Sequence, residues 1–101
     1  MTRTVTGEVR LRIPGVLRDL AGGAGELRVA VDEAGVPLDQ LLSALSDSWP
    51  ELVRRLRDET GALRRHVNLF VDGEDVRRGS GLQTVVMPGA VVHVLPSVAG
   101  G

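Results

Sequence analysis

The stretch His66-Val67-Asn68-Leu69-Phe70-Val71-Asp72-Gly73-Glu74-Asp75-Val76 decides the fold. From His66 to Val71 the residues alternate, with Val67, Leu69 and Val71 on one side and His66, Asn68 and Phe70 on the other. A period of two is the mark of a half-buried strand. Asp72-Gly73 is a strong two-residue turn signal, so Glu74-Asp75-Val76 reads as a short return strand.

Working towards the C-terminus, Gly79-Ser80-Gly81 breaks the chain, Leu82 is expected to plug the core, and Pro88-Gly89 makes a last turn. Ala90 to Leu95 follows as a β-rich run with Val92 and Val94 inward. Working back, Leu38, Leu41, Leu42 and Leu45 fall at i, i+3, i+4 and i+7, the apolar stripe of an amphipathic helix. Pro37 suits its first turn, Trp49 continues the stripe, and Pro50 closes or bends the helix. Leu52, Val53 and Leu56 suggest a further turn or two, with Gly61 as a stop. Glu8 to Ile13 and Glu26 to Val31 alternate again, placing Val9, Leu11, Ile13, Leu27, Val29 and Val31 inward. They are expected to pair antiparallel across a longer loop, in which Val16, Leu17 and Leu20 cover one core edge.

The predicted order is strand, strand, helix, strand, short strand, strand. A mixed sheet of four to five strands with one principal helix across one face makes an α+β domain. It is expected to span residues 1–96, and Ser97-Val98-Ala99-Gly100-Gly101, with little side chain to bury, to form a flexible tail over 97–101.

Composition narrows the function. The net charge is −1, and Arg54, Arg55, Arg57, Arg64 and Arg65 are interleaved with Glu51, Asp58 and Glu59. That mixture describes a solvated face, and no nucleic-acid partner is expected. No apolar run approaches the ~20 residues needed to span a bilayer and no signal peptide is visible, so the expectation is a cytoplasmic protein with no membrane partner. Cysteine is absent, which excludes thiolate metal sites and a cysteine nucleophile. Any sulfur handled by this chain must therefore sit elsewhere than on a side chain. Every basic residue is Arg, and the lack of Lys leaves no side-chain amine for an isopeptide bond. His66 and His93 are too few for a metal site, and Gly22-Gly23-Ala24-Gly25 lacks the lysine of a phosphate loop. Strand parity turns Phe70, His93 and Leu95 outward together, an exposed patch suited to docking a partner.

Three stretches carry a family resemblance: Ile13-Pro14-Gly15-Val16-Leu17-Arg18, Val67 to Arg77, and Val94-Leu95-Pro96-Ser97-Val98-Ala99-Gly100-Gly101. With the element order, they resemble the β-grasp (ubiquitin-like) fold and, within it, the MoaD/ThiS family of bacterial sulfur carriers. They are most similar to carriers of the CysO type, which serve cysteine biosynthesis. The resemblance implies a carrier, not an enzyme, with no bound cofactor. An E1-like adenylating/sulfurtransferase enzyme would use ATP to activate the Gly101 carboxylate, and a sulfur donor would convert it to a thiocarboxylate. Gly100 and Gly101 would give the tail the slimness to thread that enzyme's channel, while Phe70, His93, Leu95, Pro96, Val98 and Ala99 would contact partners. The implied acceptor is a PLP-dependent cysteine synthase, with a zinc peptidase releasing the product. Carriers for molybdopterin, thiamine or a sulfur-containing natural product, and ubiquitin-like protein modifiers, share this pattern. Ser97, where the family often has Pro or Ala, and Val86-Met87-Pro88-Gly89, which lacks the acidic residue common in that turn, leave the subfamily open.

Overall fold

A computed structural model describes residues 7–96. Five strands form one mixed sheet: β1 (Gly7–Arg12), β2 (Glu26–Val31), β4 (Val67–Val71), β5 (Glu74–Asp75) and β7 (Val91–Pro96), in the spatial order β2-β1-β7-β4-β5. β1 runs antiparallel to β2 and parallel to β7, while β7 is antiparallel to β4. The alternation predicted for these segments holds. Val9, Leu11, Ile13, Val67, Leu69, Val92 and Val94 are buried on one face, and Glu8, Arg10, Arg12 and His93 are exposed on the other.

Two helices complete the core on the inner face. α1 (Leu38–Ser48) buries Leu38, Leu41, Leu42 and Leu45, the stripe read from the sequence, and α2 (Pro50–Leu56) adds Leu52, Val53 and Leu56. Each such leucine, removed from water, contributes roughly 1.5–3 kcal/mol before the entropy of ordering is subtracted. Pro50 sits in the first turn of α2, so the chain breaks at Trp49, whose amide still bonds the Leu45 carbonyl at 2.8 Å. Pro37 was expected in the first turn of α1. It stands just before it, in extended geometry (φ −64°, ψ 148°), because its carbonyl and not its ring opens the helix.

Other expectations need correction. The loop after β1 is a 3₁₀ segment, Gly15–Ala21, that turns Leu17 and Ala21 inward and leaves Leu20 half-buried. Val16 does not cover the core edge; at 79 % exposure it lies on the outer side of that tight turn. The return strand stops at Asp75, whose carboxylate accepts from the Arg77 amide at 2.9 Å and starts a 3₁₀ turn over Val76–Arg78. A second, two-stranded sheet was not foreseen: β3 (Val36–Pro37) pairs antiparallel with β6 (Val85–Val86). It abuts the start of α1, where the Leu38 amide donates to the Thr84 carbonyl at 2.9 Å. The glycine before β3, Gly35, has φ +75°, and a Cβ there would lie 2.5 Å from the Val86 carbonyl oxygen.

The arginines predicted as a solvated face divide in two. Arg54 ion-pairs with Glu51 on the surface, as expected. Arg57 instead donates to the Asp39 carbonyl and the Ser43 hydroxyl, both at 3.3 Å, and Arg64 to the Arg54 carbonyl at 2.7 Å. Arg77 reaches the carbonyls of Arg64 and Val67 at 2.6 and 2.7 Å. These guanidinium groups bond backbone carbonyls of α1, α2, the loop after it and β4, and so tie those segments together.

Candidate functional site

The residues singled out for docking lie on β4 and β7. Their register pairs Phe70 with His93, Asn68 with Leu95 and Val67 with Pro96. Directly paired residues put their side chains on the same face, so Phe70, His93, Asn68 and Leu95 share the outer face of the sheet. Leu95 is 46 % exposed, among the most exposed large hydrophobic residues in the described chain, and His93 is exposed as well. Phe70 faces outward but is half-buried, flanked by a shallow cleft that it lines with Gly73, Glu74, Asp75, Arg78 and Gly79. Pro96 is half-buried on the other parity. Val98, Ala99, Gly100 and Gly101 lie outside the described residues.

Two features position this face. At the hairpin between β4 and β5, Asp72 (φ +49°) and Gly73 (φ +91°) take the left-handed pair of angles that a tight two-residue turn needs. Asp72 also clasps the start of β7, donating its amide to the Val91 carbonyl at 2.9 Å and accepting the Val91 amide on its carboxylate at 3.0 Å. The first was legible as Asp-Gly; the second depends on a strand some twenty residues away and had no local signal.

The register also extends across the sheet. Glu26, Arg12, His93, Phe70 and Asp75 form one row from edge to edge, and Arg28, Arg10 and Val91 form the next. The outer face thus carries Arg10, Arg12 and Arg28 interspersed with Glu8 and Glu26 on β1 and β2, and the apolar Phe70, Val91 and Leu95 beside Asn68 and His93 on β4 and β7. Among the described residues no cluster of three or more His, Asp or Glu side chains has the geometry to hold a metal ion. Among the same residues no helix is long and apolar enough to cross a membrane. The titratable group with a resolved shift is remote from this face. Asp58 is held below the usual carboxylate range by the Thr60 hydroxyl first, then by the Thr60 and Ala62 amides and the Arg64 charge.

Residues 11–101 match the ThiS family. The sulfur carrier protein CysO of Mycobacterium tuberculosis is 38 % identical over 95 residues, a match covering 92 % of this chain and 98 % of that protein. The small archaeal modifier protein 3 of Haloferax volcanii is 31 % identical over 94 residues, covering 93 % of this chain and 99 % of its own. Among solved structures, a crystal structure of the Amycolatopsis orientalis BexX/CysO complex contains a chain that superposes with a TM-score of 0.77 at 32 % identity, covering 92 % of this chain and 99 % of that one. With a five-stranded mixed sheet and helices on one face, the ubiquitin-like β-grasp fold is common to all of them. The chain belongs to the ThiS family and, like the sulfur carrier CysO that it resembles, is a small ubiquitin-like carrier protein and not an enzyme.

Proposed function

We propose that this protein is a sulfur carrier of the CysO type whose working group is the carboxylate of Gly101. The supporting observation is the match to the ThiS family running from residue 11 through Gly101, together with 38 % identity to a sulfur carrier across nearly the whole of both chains. A carboxylate resists attack because it has no good leaving group. An E1-like activating enzyme removes that obstacle: a Gly101 oxygen attacks the α-phosphate of ATP, pyrophosphate leaves, and an acyl-adenylate remains. Sulfide or an equivalent donor then attacks the carbonyl carbon and expels AMP, leaving a thiocarboxylate. The product is anionic, and its sulfur is a strong nucleophile towards an electrophilic acceptor, here assigned to cysteine biosynthesis through a PLP-dependent synthase. The chain itself binds no cofactor in this scheme, and ATP belongs to the partner.

The tail contributes slimness and the body contributes affinity. Gly100 and Gly101 carry no Cβ to obstruct a narrow channel. Ordering a tail on docking costs entropy, so a fixed surface must supply most of the binding energy. Phe70, His93 and Leu95, held on adjacent strands, are that surface, and Pro96, Val98 and Ala99 extend it towards the reacting end. A second reading, a protein modifier, is favoured by the 31 % identity to a small archaeal modifier. The two share adenylation and part afterwards.

Intact mass spectrometry separates them. After incubation with the activating enzyme, ATP and sulfide, the carrier gains the mass of one sulfur in place of one oxygen, and deletion of Gly101 abolishes the gain. A gain that survives the deletion refutes the assignment to the tail. Conjugates to other proteins, without any free thiocarboxylate, support the modifier instead.

A further inference from the structure

The outer sheet face carries a feature that hydrogen bonding and packing among the described residues do not account for. Arg10 on β1 stands directly opposite Arg28 on β2. Like charges facing each other across a strand pair destabilise it, and a sequence that keeps such a conflict on an otherwise consistent sheet marks a place where function sets the residues. The neighbouring charges relieve it only in part. Glu26 accepts from Arg28 at 3.0 Å and also sits 3.9 Å from Arg12, so one carboxylate serves two guanidinium groups. Arg10 has no ion pair among the described residues. Glu8 lies on the same face, opposite Ala30, and lines a shallow groove with Arg10, Arg28, Pro88 and Gly89. Arg28 is 61 % exposed and Arg12 52 %, so their charges are open to a partner. The strip adjoins the apolar face directly: Arg10 pairs with Val91, and Arg12 pairs with His93, which pairs with Phe70.

Resting on the carrier reading above, we propose that the activating enzyme which adenylates this chain presents a carboxylate-bearing segment to Arg10 and Arg28 while an apolar recess receives Leu95 and Phe70. The two halves of the face then have different tasks. The apolar half holds the complex together, and the arginines accelerate encounter and fix orientation. A carboxylate arriving between Arg10 and Arg28 removes the repulsion that the free protein carries, so the conflict in the free state favours the bound one. The arginine pair is planar and forked, suited to a bidentate grip on carboxylate that lysine does not give.

The test measures binding of the full chain to the activating enzyme from the same genome at about 50 mM and about 300 mM salt, because screening weakens exposed charge pairs as salt rises. The variants are Arg10→Gln, which leaves the Arg28–Glu26 pair intact, and Arg10→Gln/Arg28→Gln. The double variant is expected to bind about tenfold more weakly at low salt, mostly through a slower association rate, and to lose most of the wild type's salt dependence. Arg10→Gln is expected to melt at the same temperature as wild type or higher, since it relieves the like-charge pair. Equal affinity and equal salt dependence in wild type and double variant overturn the proposal. So does tighter binding of a single-stranded oligonucleotide than of the enzyme. The sulfur-for-oxygen mass gain is read in the same preparation. A wild type that gains mass beside an unaffected double variant sinks the acidic-partner inference alone. A wild type that gains none sinks the carrier reading beneath it, and this inference with it.

Discussion

Asp72 holds two jobs at once, and substitution separates them. It sits at φ +49° in the turn and its carboxylate accepts the Val91 amide at 3.0 Å. In Asp72→Ala the amide at the start of β7 loses its partner, which costs about 1 kcal/mol at an exposed position. Alanine in the left-handed region adds about 1 kcal/mol, because its Cβ crowds the backbone without the local hydrogen bonding that makes Asp tolerable there. The sum is about 2 kcal/mol, or a fall in melting temperature of about 10 °C for a domain of this size. Asp72→Asn keeps both an acceptor oxygen and tolerance of the angle, so it should cost no more than about 0.5 kcal/mol. Asp72→Gly keeps only the angle and should fall between them. The assay is thermal and urea unfolding of the three variants, with amide hydrogen exchange at Val91 as the local readout. In Asp72→Ala and Asp72→Gly the Val91 amide should exchange faster, and in Asp72→Asn it should not. If alanine and asparagine prove equally stable, with equal exchange at Val91, the clasp contributes nothing and the reasoning fails.

Other predictions follow from the same geometry. Gly35→Ala places a Cβ 2.5 Å from the Val86 carbonyl oxygen and 2.7 Å from the Met87 sulfur at φ +75°, whereas Gly61→Ala meets nothing within 4 Å at φ +89°. Both bear the left-handed cost of about 1–2 kcal/mol, so urea titration should show Gly35→Ala the less stable by a further kcal/mol or more; equal midpoints would mean that β3 and β6 separate freely. Leu95→Asp should weaken binding of the activating enzyme about tenfold or more, while the melting temperature shifts by no more than a few degrees, because nearly half of the side chain is already in water. A collapse of stability would show that the side chain belongs to the core. The lowered Asp58 value means that its deprotonated form is favoured by folding, first through the Thr60 hydroxyl. Its contribution is present above the unfolded value of about 4 and is lost as pH falls through the lower folded value. In Thr60→Val an NMR titration should find the Asp58 carboxyl titrating at higher pH than in wild type, and an unchanged midpoint refutes the assigned cause.

Those parts of the fold that repeat a short period over five or more residues were legible in the sequence. The alternation of Val67, Leu69 and Val71 set the face of Phe70, and that of Val92 and Val94 set the face of His93 and Leu95, as the paired register confirms. The leucines at 38, 41, 42 and 45 fixed the buried stripe of α1. Segments too short to complete a period were not legible. β3 and β6 have two residues each, and the 3₁₀ segment at Gly15–Ala21 turns Val16 out and Leu17 in by a geometry that apolar spacing does not encode. Long-range polar roles were equally hidden. Nothing beside Arg77 announces that it caps carbonyls of Arg64 and Val67, because a charged residue in a polar run reads as solvated. The opposition of Arg10 and Arg28 exists only once the register of two strands is known. The proposed docking residues Phe70, His93 and Leu95 came from parity, and the proposed reacting end from resemblance.

β7 occupies the middle of the sheet, bonded to β1 on one side and β4 on the other, and it ends at Pro96. Val92 and His93 are paired on both sides, whereas Leu95 and Pro96 are paired with β4 alone. From Pro96 to Gly101 there are five residues, which even fully drawn out reach no further than about 17 Å. On the proposed function this spacing works as a ruler: an enzyme that acts on Gly101 would hold its reacting atom within that radius of Pro96. On that reading, partners that differ in chemistry share one upper limit on the distance between the face they grip and the atom they transform.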